Sequence, residues 1–243
     1  MGLLQIENIG KSFGGLRALD DVSFSVDVGE TVGLMGANGA GKTTLFSIIA
    51  GHQPPTEGAV LFHGHRLTGK RPDQICHAGI ARTFQIVRPF ARMTVRENVE
   101  TALLFGGARK SSDPPLDYCA MDILDTVGLA DHAERPSGAL TLSSRKKLEV
   151  ARAIGTGPEL LLLDEVMAGL TPAEVAAMLD TLRQIKKNYN LTILIIEHVV
   201  SALSELSDRI IVLHHGVKIA EGKSQDIAAN KNVRSIYFGE EEA

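Results

Sequence analysis

Cysteine is scarce in this chain. Of 243 residues only Cys76 and Cys119 are cysteines, far apart and in no metal-ligand spacing. That pattern indicates neither a disulfide framework nor a cysteine-based zinc site, and it fits a reducing compartment. Long apolar runs are also missing: the longest cover residues 160–163 and 193–196, whereas a membrane-crossing helix needs roughly 20 apolar residues. Any membrane role is therefore expected to depend on a partner chain. The opening Met-Gly-Leu-Leu-Gln-Ile-Glu has no basic region ahead of an apolar core, so it does not read as a secretory signal. Positive charge is not in excess, with 25 Lys and Arg against 29 Asp and Glu, mixed along the chain, for a net charge of −4. A dedicated nucleic-acid binder usually shows a basic face or stripe, and none is expected here. No internal repeat is visible.

What remains is an ordinary globular composition, 44% hydrophobic and 22% charged, long enough for one large α/β domain or two small ones. Val22, Phe24 and Val26 alternate with Ser23, Ser25 and Asp27, the period of a half-buried strand. Residues 3–7 suggest a strand before it. Residues 31–35 form a short buried strand that runs into a glycine-rich stretch, after which Leu45, Ile48 and Ile49 recur at helical spacing. Further strands are expected at 59–62 and 81–84, and fully buried ones, as in a parallel sheet, at 160–163 and 192–196. Helical patterns dominate from Thr94, with a Gly/Ser/Asp/Pro loop at 106–115 and helices at about 121–127 and 145–154. Thr171-Pro172-Ala173-Glu174 reads as a helix start, with Thr as N-cap, Pro at N1 and Glu at N3. Residues 210–213 and 217–220 suggest a hairpin closed by His214, His215 and Gly216. The pattern predicts one α/β domain over residues 1–243, with a mostly helical insertion at about 87–158.

Two motifs carry chemistry. Gly36-Ala37-Asn38-Gly39-Ala40-Gly41-Lys42-Thr43, followed by Thr44, satisfies the phosphate-loop pattern G-x-x-x-x-G-K-[ST]. Its glycines let successive backbone N–H groups point inward at phosphate oxygens, and the following helix adds the positive end of its dipole. Lys42 is expected to reach the β- and γ-phosphates of ATP, and the Thr43 hydroxyl to ligate Mg²⁺. The second motif is the apolar strand 160–163 followed by Asp164 and Glu165. Such a strand delivers carboxylates to its C-terminal edge. Asp164 is expected to hold the Mg²⁺ shell, and Glu165 to polarise the attacking water as general base.

The order of motifs resembles an ABC-transporter nucleotide-binding domain across essentially the whole chain, most closely the branched-chain (hydrophobic) amino-acid uptake subfamily. The phrases that carry this are Lys11-Ser-Phe-Gly-Gly15, Ala81-Arg-Thr-Phe-Gln85 with Val87-Arg88, Met93-Thr-Val-Arg-Glu-Asn98, Leu148-Glu-Val-Ala-Arg-Ala153, Ala168-Gly-Leu170 and Ile196-Glu-His198. The resemblance implies a P-loop NTPase core of ABC type, with an antiparallel β subdomain and a helical subdomain. It assigns Phe13 to stacking on adenine, Gln85 to the Mg²⁺ and water, and His198 to the γ-phosphate. It also implies ATP and Mg²⁺ as cofactors and integral membrane permease subunits as partners. A second ABC ATPase subunit, in a hetero- or homodimer, and indirectly a solute-binding protein would complete the assembly. The place of action would be the cytoplasmic face of a membrane, peripherally. Residues 88–99 would form part of the groove that receives the membrane partner.

The chain departs from the family's pattern at the signature and at two further positions. Counting back from Ala151-Arg152-Ala153, the Leu-Ser-Gly-Gly-Gln signature falls on Leu140-Thr141-Leu142-Ser143-Ser144, with Thr141 at the serine and Ser143 at the second glycine. A rival register, Leu142-Ser143-Ser144-Arg145-Lys146, keeps the serine and loses both glycines. Thr171 also replaces the usual acidic residue of the following loop, and Val166 a common proline. An altered signature beside intact catalytic residues suggests a heterodimer in which the site this signature completes hydrolyses more slowly. The basic run Arg145-Lys146-Lys147 reads as a mostly solvated helix face, and Glu240-Glu241-Glu242 as a solvated tail. The expected function is an importer's ATPase, with an exporter motor or a non-transport ABC ATPase as alternatives.

Overall fold

The structure is a computed structural model, and it describes residues 2–85, 89–106 and 116–238. The expected loop at 107–115, the Val87-Arg88 pair and the acidic tail 240–242 lie outside the described residues. The chain divides into two compact units, Met1–Pro72 with Leu194–Ala243, and Asp73–Ile193.

The first unit holds two sheets. An antiparallel sheet is built from β1 (Leu4–Phe13), β2 (Leu16–Val26), β4 (Glu57–Phe62) and β5 (His65–Arg66), in the order β2-β1-β4-β5. Its register pairs Leu4 with Val26 and with Phe62. The alternation at 22–27 belongs to β2, which starts further back, at Leu16, because tight pairing of Phe13 with Leu16 continues the ladder to the turn. The second sheet contains β3 (Thr31–Met35), every residue of which is buried. β3 runs parallel to β9 (Arg209–His214), with Val32 opposite Arg209 and Met35 opposite Val212. β9 turns through His215 and Gly216 into the antiparallel β10 (Val217–Gly222). The expected hairpin is therefore present, but His214 belongs to its strand rather than its turn. Among the described residues, four helices complete this unit: α1 (Lys42–Ile49), α7 (Val200–Leu206), α8 (Ser224–Ala229) and α9 (Lys231–Phe238).

The second unit contains α2 (Pro72–His77), which starts at the boundary residue, and then β6 (Ile80–Arg82), α3 (Val95–Phe105), α4 (Leu116–Thr126), α5 (Leu142–Gly155), β7 (Leu160–Asp164) and α6 (Pro172–Tyr189). β8 (Thr192–Ile196) carries the chain from the second unit into the first, and its Thr192 N–H bonds the Glu159 carbonyl at 3.0 Å. β6 and β7 are parallel, with Ile80 beside Leu160 and Arg82 beside Leu162. All five residues of β7 are buried, and its four leucines form the continuous apolar run of a strand covered on both faces. α3 opens with a capping box, Thr94 accepting from the Glu97 N–H while Glu97 accepts from the Thr94 N–H. The same arrangement at Thr171 and Glu174 starts α6, with Pro172 at its first turn. α5 begins three residues before the expected position, because Thr141 caps it and the exposed Leu142 hides its first turn from the apolar periodicity. Residues 83 and 84, expected at the end of β6, lie outside that strand, which begins one residue earlier, at Ile80.

Candidate functional site

The phosphate loop leaves β3 at Met35 and enters α1 at Lys42. A turn inside it closes through the Ala40 N–H and the Ala37 carbonyl at 3.1 Å. Gly41 is the N-cap residue, at φ +100, in a left-handed region where a side chain is strained. A Cβ there would lie 2.6 Å from Leu19 Cδ2 and 2.8 Å from the Ala18 carbonyl oxygen. No side chain caps α1 and no acidic residue lies in its first turn, so its leading N–H groups and dipole suit an anion. The Lys42 ammonium is buried and donates to the carbonyl oxygens of Gly36 at 2.5 Å and Ala37 at 3.1 Å. Asn38, Gly39 and Thr43 are exposed, Gly41 and Thr44 are half-buried, and Gly36 and Ala40 are buried.

The hairpin turn between β9 and β10 braces this loop. The Gly216 N–H donates to the Ala40 carbonyl at 3.1 Å, and the Gly216 carbonyl accepts from the Asp20 N–H at 2.9 Å. Gly216 lies at φ +80, where a Cβ would come within 2.6 Å of the Ala18 carbonyl oxygen. Sequence reasoning assigned this residue only to a turn. The signal for more would have been a glycine obligatory for both conformation and space, which needs the tertiary contact to recognise. In the same unit Phe13 stands 44% exposed at the end of β1, with the Lys11 ammonium 5.0 Å from its ring centroid. An exposed aromatic face of this kind is available for stacking. His198 is exposed, two residues beyond β8, after the buried Glu197.

In the second unit the parallel register of β6 and β7 assembles a carboxylate centre. The Thr83 N–H bonds the Leu162 carbonyl at 2.9 Å, and the Asp164 N–H bonds the Thr83 hydroxyl at 3.1 Å. Arg82 then reaches Asp164 Oδ2 at 2.7 Å, an ion pair whose side chains are 9% and 3% exposed. Charge-assisted pairing of this kind satisfies a carboxylate that would otherwise be costly to bury. Glu165 follows at φ +52, an uncommon conformation for a residue with a side chain. Its carboxylate oxygen Oε2 accepts from Gln85 Nε2 at 2.6 Å, and its backbone carbonyl accepts from Lys146 Nζ at 2.8 Å. Glu165 and Gln85, which the sequence places 80 residues apart, are thus in direct contact.

Arg82 and Lys146 are additions to the sequence reading, and Lys146 corrects it. The run 145–147 is not a uniformly solvated face, because Lys146 is only 4% exposed. Its spacing to the buried Glu149, Val150 and Ala153 put it on the inward face of α5 all along. Thr141, expected at the signature's serine position, uses its hydroxyl to cap α5, accepting from the Ser144 N–H at 3.2 Å. Ser143 is half-buried in the first turn. The Met93–Asn98 phrase has a local reason as well: the buried Asn98 accepts from the Phe90 N–H at 2.9 Å and donates to the Phe90 and Thr94 carbonyls at 3.3 and 2.8 Å.

A nucleotide-gripping loop and a paired-carboxylate strand end, each on an α/β scaffold, define an ATP-hydrolysing P-loop protein. The profile of the ABC transporter family matches residues 19–168, more than half of the chain, and the chain belongs to that family. It is an ATP-binding cassette, the ATPase subunit of a transporter complex whose other partners are membrane permeases. Among its relatives, the high-affinity branched-chain amino acid transport ATP-binding protein LivG of Escherichia coli (strain K12) is 38% identical over 98% of both chains. BraF of Pseudomonas aeruginosa, described in the same words, is 34% identical over 98% of both. The ADP conformation of MJ1267, an ATP-binding cassette of an ABC transporter, superposes with a TM-score of 0.87 at 33% identity, covering 99% of this chain and 100% of that one.

Proposed function

We propose that this chain powers import of a small solute, a branched-chain amino acid or related compound, from the cytoplasmic face of a membrane to which it binds peripherally. Among the described residues no helix is long and apolar enough to cross a membrane. Attachment therefore rests on the permease subunits. Relatives that match from end to end are named for branched-chain amino acid transport, which supports the solute class.

In this reading ATP lies on residues 36–44, with adenine stacked on Phe13. Lys42, now bonded to its own loop, exchanges those carbonyls for β- and γ-phosphate oxygens. Thr43, Gln85 and Asp164 supply oxygen donors that suit Mg²⁺. When bound, Mg²⁺ neutralises charge on the phosphates. Glu165 takes a proton from water as the water oxygen bonds the γ-phosphorus and the bond to the β-phosphate oxygen breaks, releasing ADP. Gln85 holds that carboxylate in place, and His198 contacts the γ-phosphate. The single observation that carries this assignment is the 2.6 Å bond from Gln85 to Glu165.

Thr141 and Ser143 serve a second nucleotide, held by a partner ATPase. The altered signature beside intact catalytic residues supports a heterodimer. Glu165→Gln is expected to keep ATP binding and lower turnover by on the order of 10²- to 10⁴-fold. It should also abolish ATP-dependent leucine uptake into vesicles carrying the copurified permease subunits. Turnover within about threefold of the parent would remove Glu165 from the role of base.

A further inference from the structure

We infer that Lys146 is a positioning residue that holds the general base in its working conformation and ties it to the signature helix. The inference rests on the reading of Glu165 as the base.

An ammonium 4% exposed in the first turns of α5 is destabilising unless it is well bonded. A leucine or methionine at that position would fill the same inward face at no electrostatic cost. What Lys146 adds is a 2.8 Å donor to the Glu165 carbonyl. That carbonyl belongs to a residue at φ +52, a backbone state that persists only where its surroundings fix it. Gln85 grips the other end of the same residue, at the carboxylate. Lys146 fixes the peptide and Gln85 the charge, so Glu165 is held at its backbone carbonyl and at its carboxylate.

The same face of α5 continues this contact. Glu149, one turn on, accepts from the Phe84 N–H, and Phe84 is the neighbour of Gln85. A further turn on, the Arg152 guanidinium stands 4.9 Å from the Phe90 ring centroid. The Phe90 backbone is itself fastened by Asn98 and by the Ser137 hydroxyl, which donates to its carbonyl at 2.9 Å. Lys146, Glu149 and Arg152 therefore form one stripe that touches the base and both flanks of the segment following Gln85. The N-terminus of that helix, capped by Thr141, is the signature. A shift of α5 reaches Glu165 directly through Lys146 and indirectly through Phe84 and Gln85.

The test uses the full chain in complex with the membrane subunits that copurify with it. Lys146→Met should lower kcat by about 10- to 100-fold, the effect of a displaced catalytic group. Equilibrium binding of ATP should stay within about twofold, since the change falls on the transition state. Lys146→Arg, which keeps a donor of similar reach, should restore kcat to within about threefold of the parent. In a Glu165→Gln background Lys146→Met should cause no additional loss, because there is no base left to position. Unchanged kcat in Lys146→Met, or failure of Lys146→Arg to rescue a well-folded protein, overturns the inference while leaving Glu165 as base. A further loss on top of Glu165→Gln overturns it likewise. Full turnover in Glu165→Gln alone overturns the base assignment and the inference with it. Should Lys146→Met fail to fold, the Lys146→Arg rate and a Lys146→Gln variant give the same readings.

Discussion

Single residues in this protein are fixed by two different demands, conformation and charge. Gly41 meets the first, since its φ of +100 excludes most side chains and a Cβ would press on the Ala18 carbonyl oxygen at 2.8 Å. Gly41→Ala is therefore expected to lower stability by at least about 2 kcal/mol and to weaken ATP binding beyond what the loss of stability explains. Chemical denaturation and nucleotide titration of the same sample check both. Arg82 and Lys146 meet the second demand, and neither was legible from sequence. The pairing of Arg82 with Asp164 spans 82 positions and follows from the parallel register of β6 and β7. Lys146 was hidden because a run of three basic residues reads as a solvated face, whereas burial depends on which of them shares a helix face with apolar neighbours. By contrast, the phosphate loop, Asp164 and Glu165 stand out in the sequence because the chemistry proposed for them demands fixed residue types at fixed spacing.

Elements differ in the same way. β3 and β8 match the expected ranges residue for residue, since continuous apolar runs between turn residues leave few alternatives. The start of α6 was equally legible, as Thr171, Pro172 and Glu174 each occupy the position their chemistry favours. The two-residue β5 and the short α2, α7, α8 and α9 were missed. Periodicity over so few residues is too weak a signal, and these elements are held mainly by tertiary contacts. α5 carries a pH dependence of its own. Burial raises the pKa of Glu149, opposed by Arg152 and the Phe84 N–H. Its folded pKa thus lies above the unfolded value of 4.5, so the folded chain holds the proton more tightly. Stability is greatest below the unfolded value and falls as pH rises through the folded one. Glu149→Gln lacks this loss. Urea midpoints at pH 4.5 and about pH 7.5 should show the mutant gaining on the parent as pH rises.

At the scale of the whole molecule, the proposed function has the chain contribute unequally to two nucleotide sites, its phosphate loop and carboxylates to one and Thr141 with Ser143 to the other. If the Ser143 side chain obstructs approach to the γ-phosphate, Ser143→Gly should raise turnover at that second site by about threefold or more. Single-turnover hydrolysis in the assembled complex, with the first site silenced by Glu165→Gln, reads this directly. An unchanged rate, or equal rates at both sites of the parent complex, removes the asymmetry. The brace formed by Gly216 has a practical consequence for work on such complexes. Tight hairpin turns are ordinarily safe places for an epitope tag or a fluorophore. Here the β9–β10 turn bonds the Ala40 carbonyl of the phosphate loop. A label inserted at 215–216 would report on nucleotide affinity by altering it.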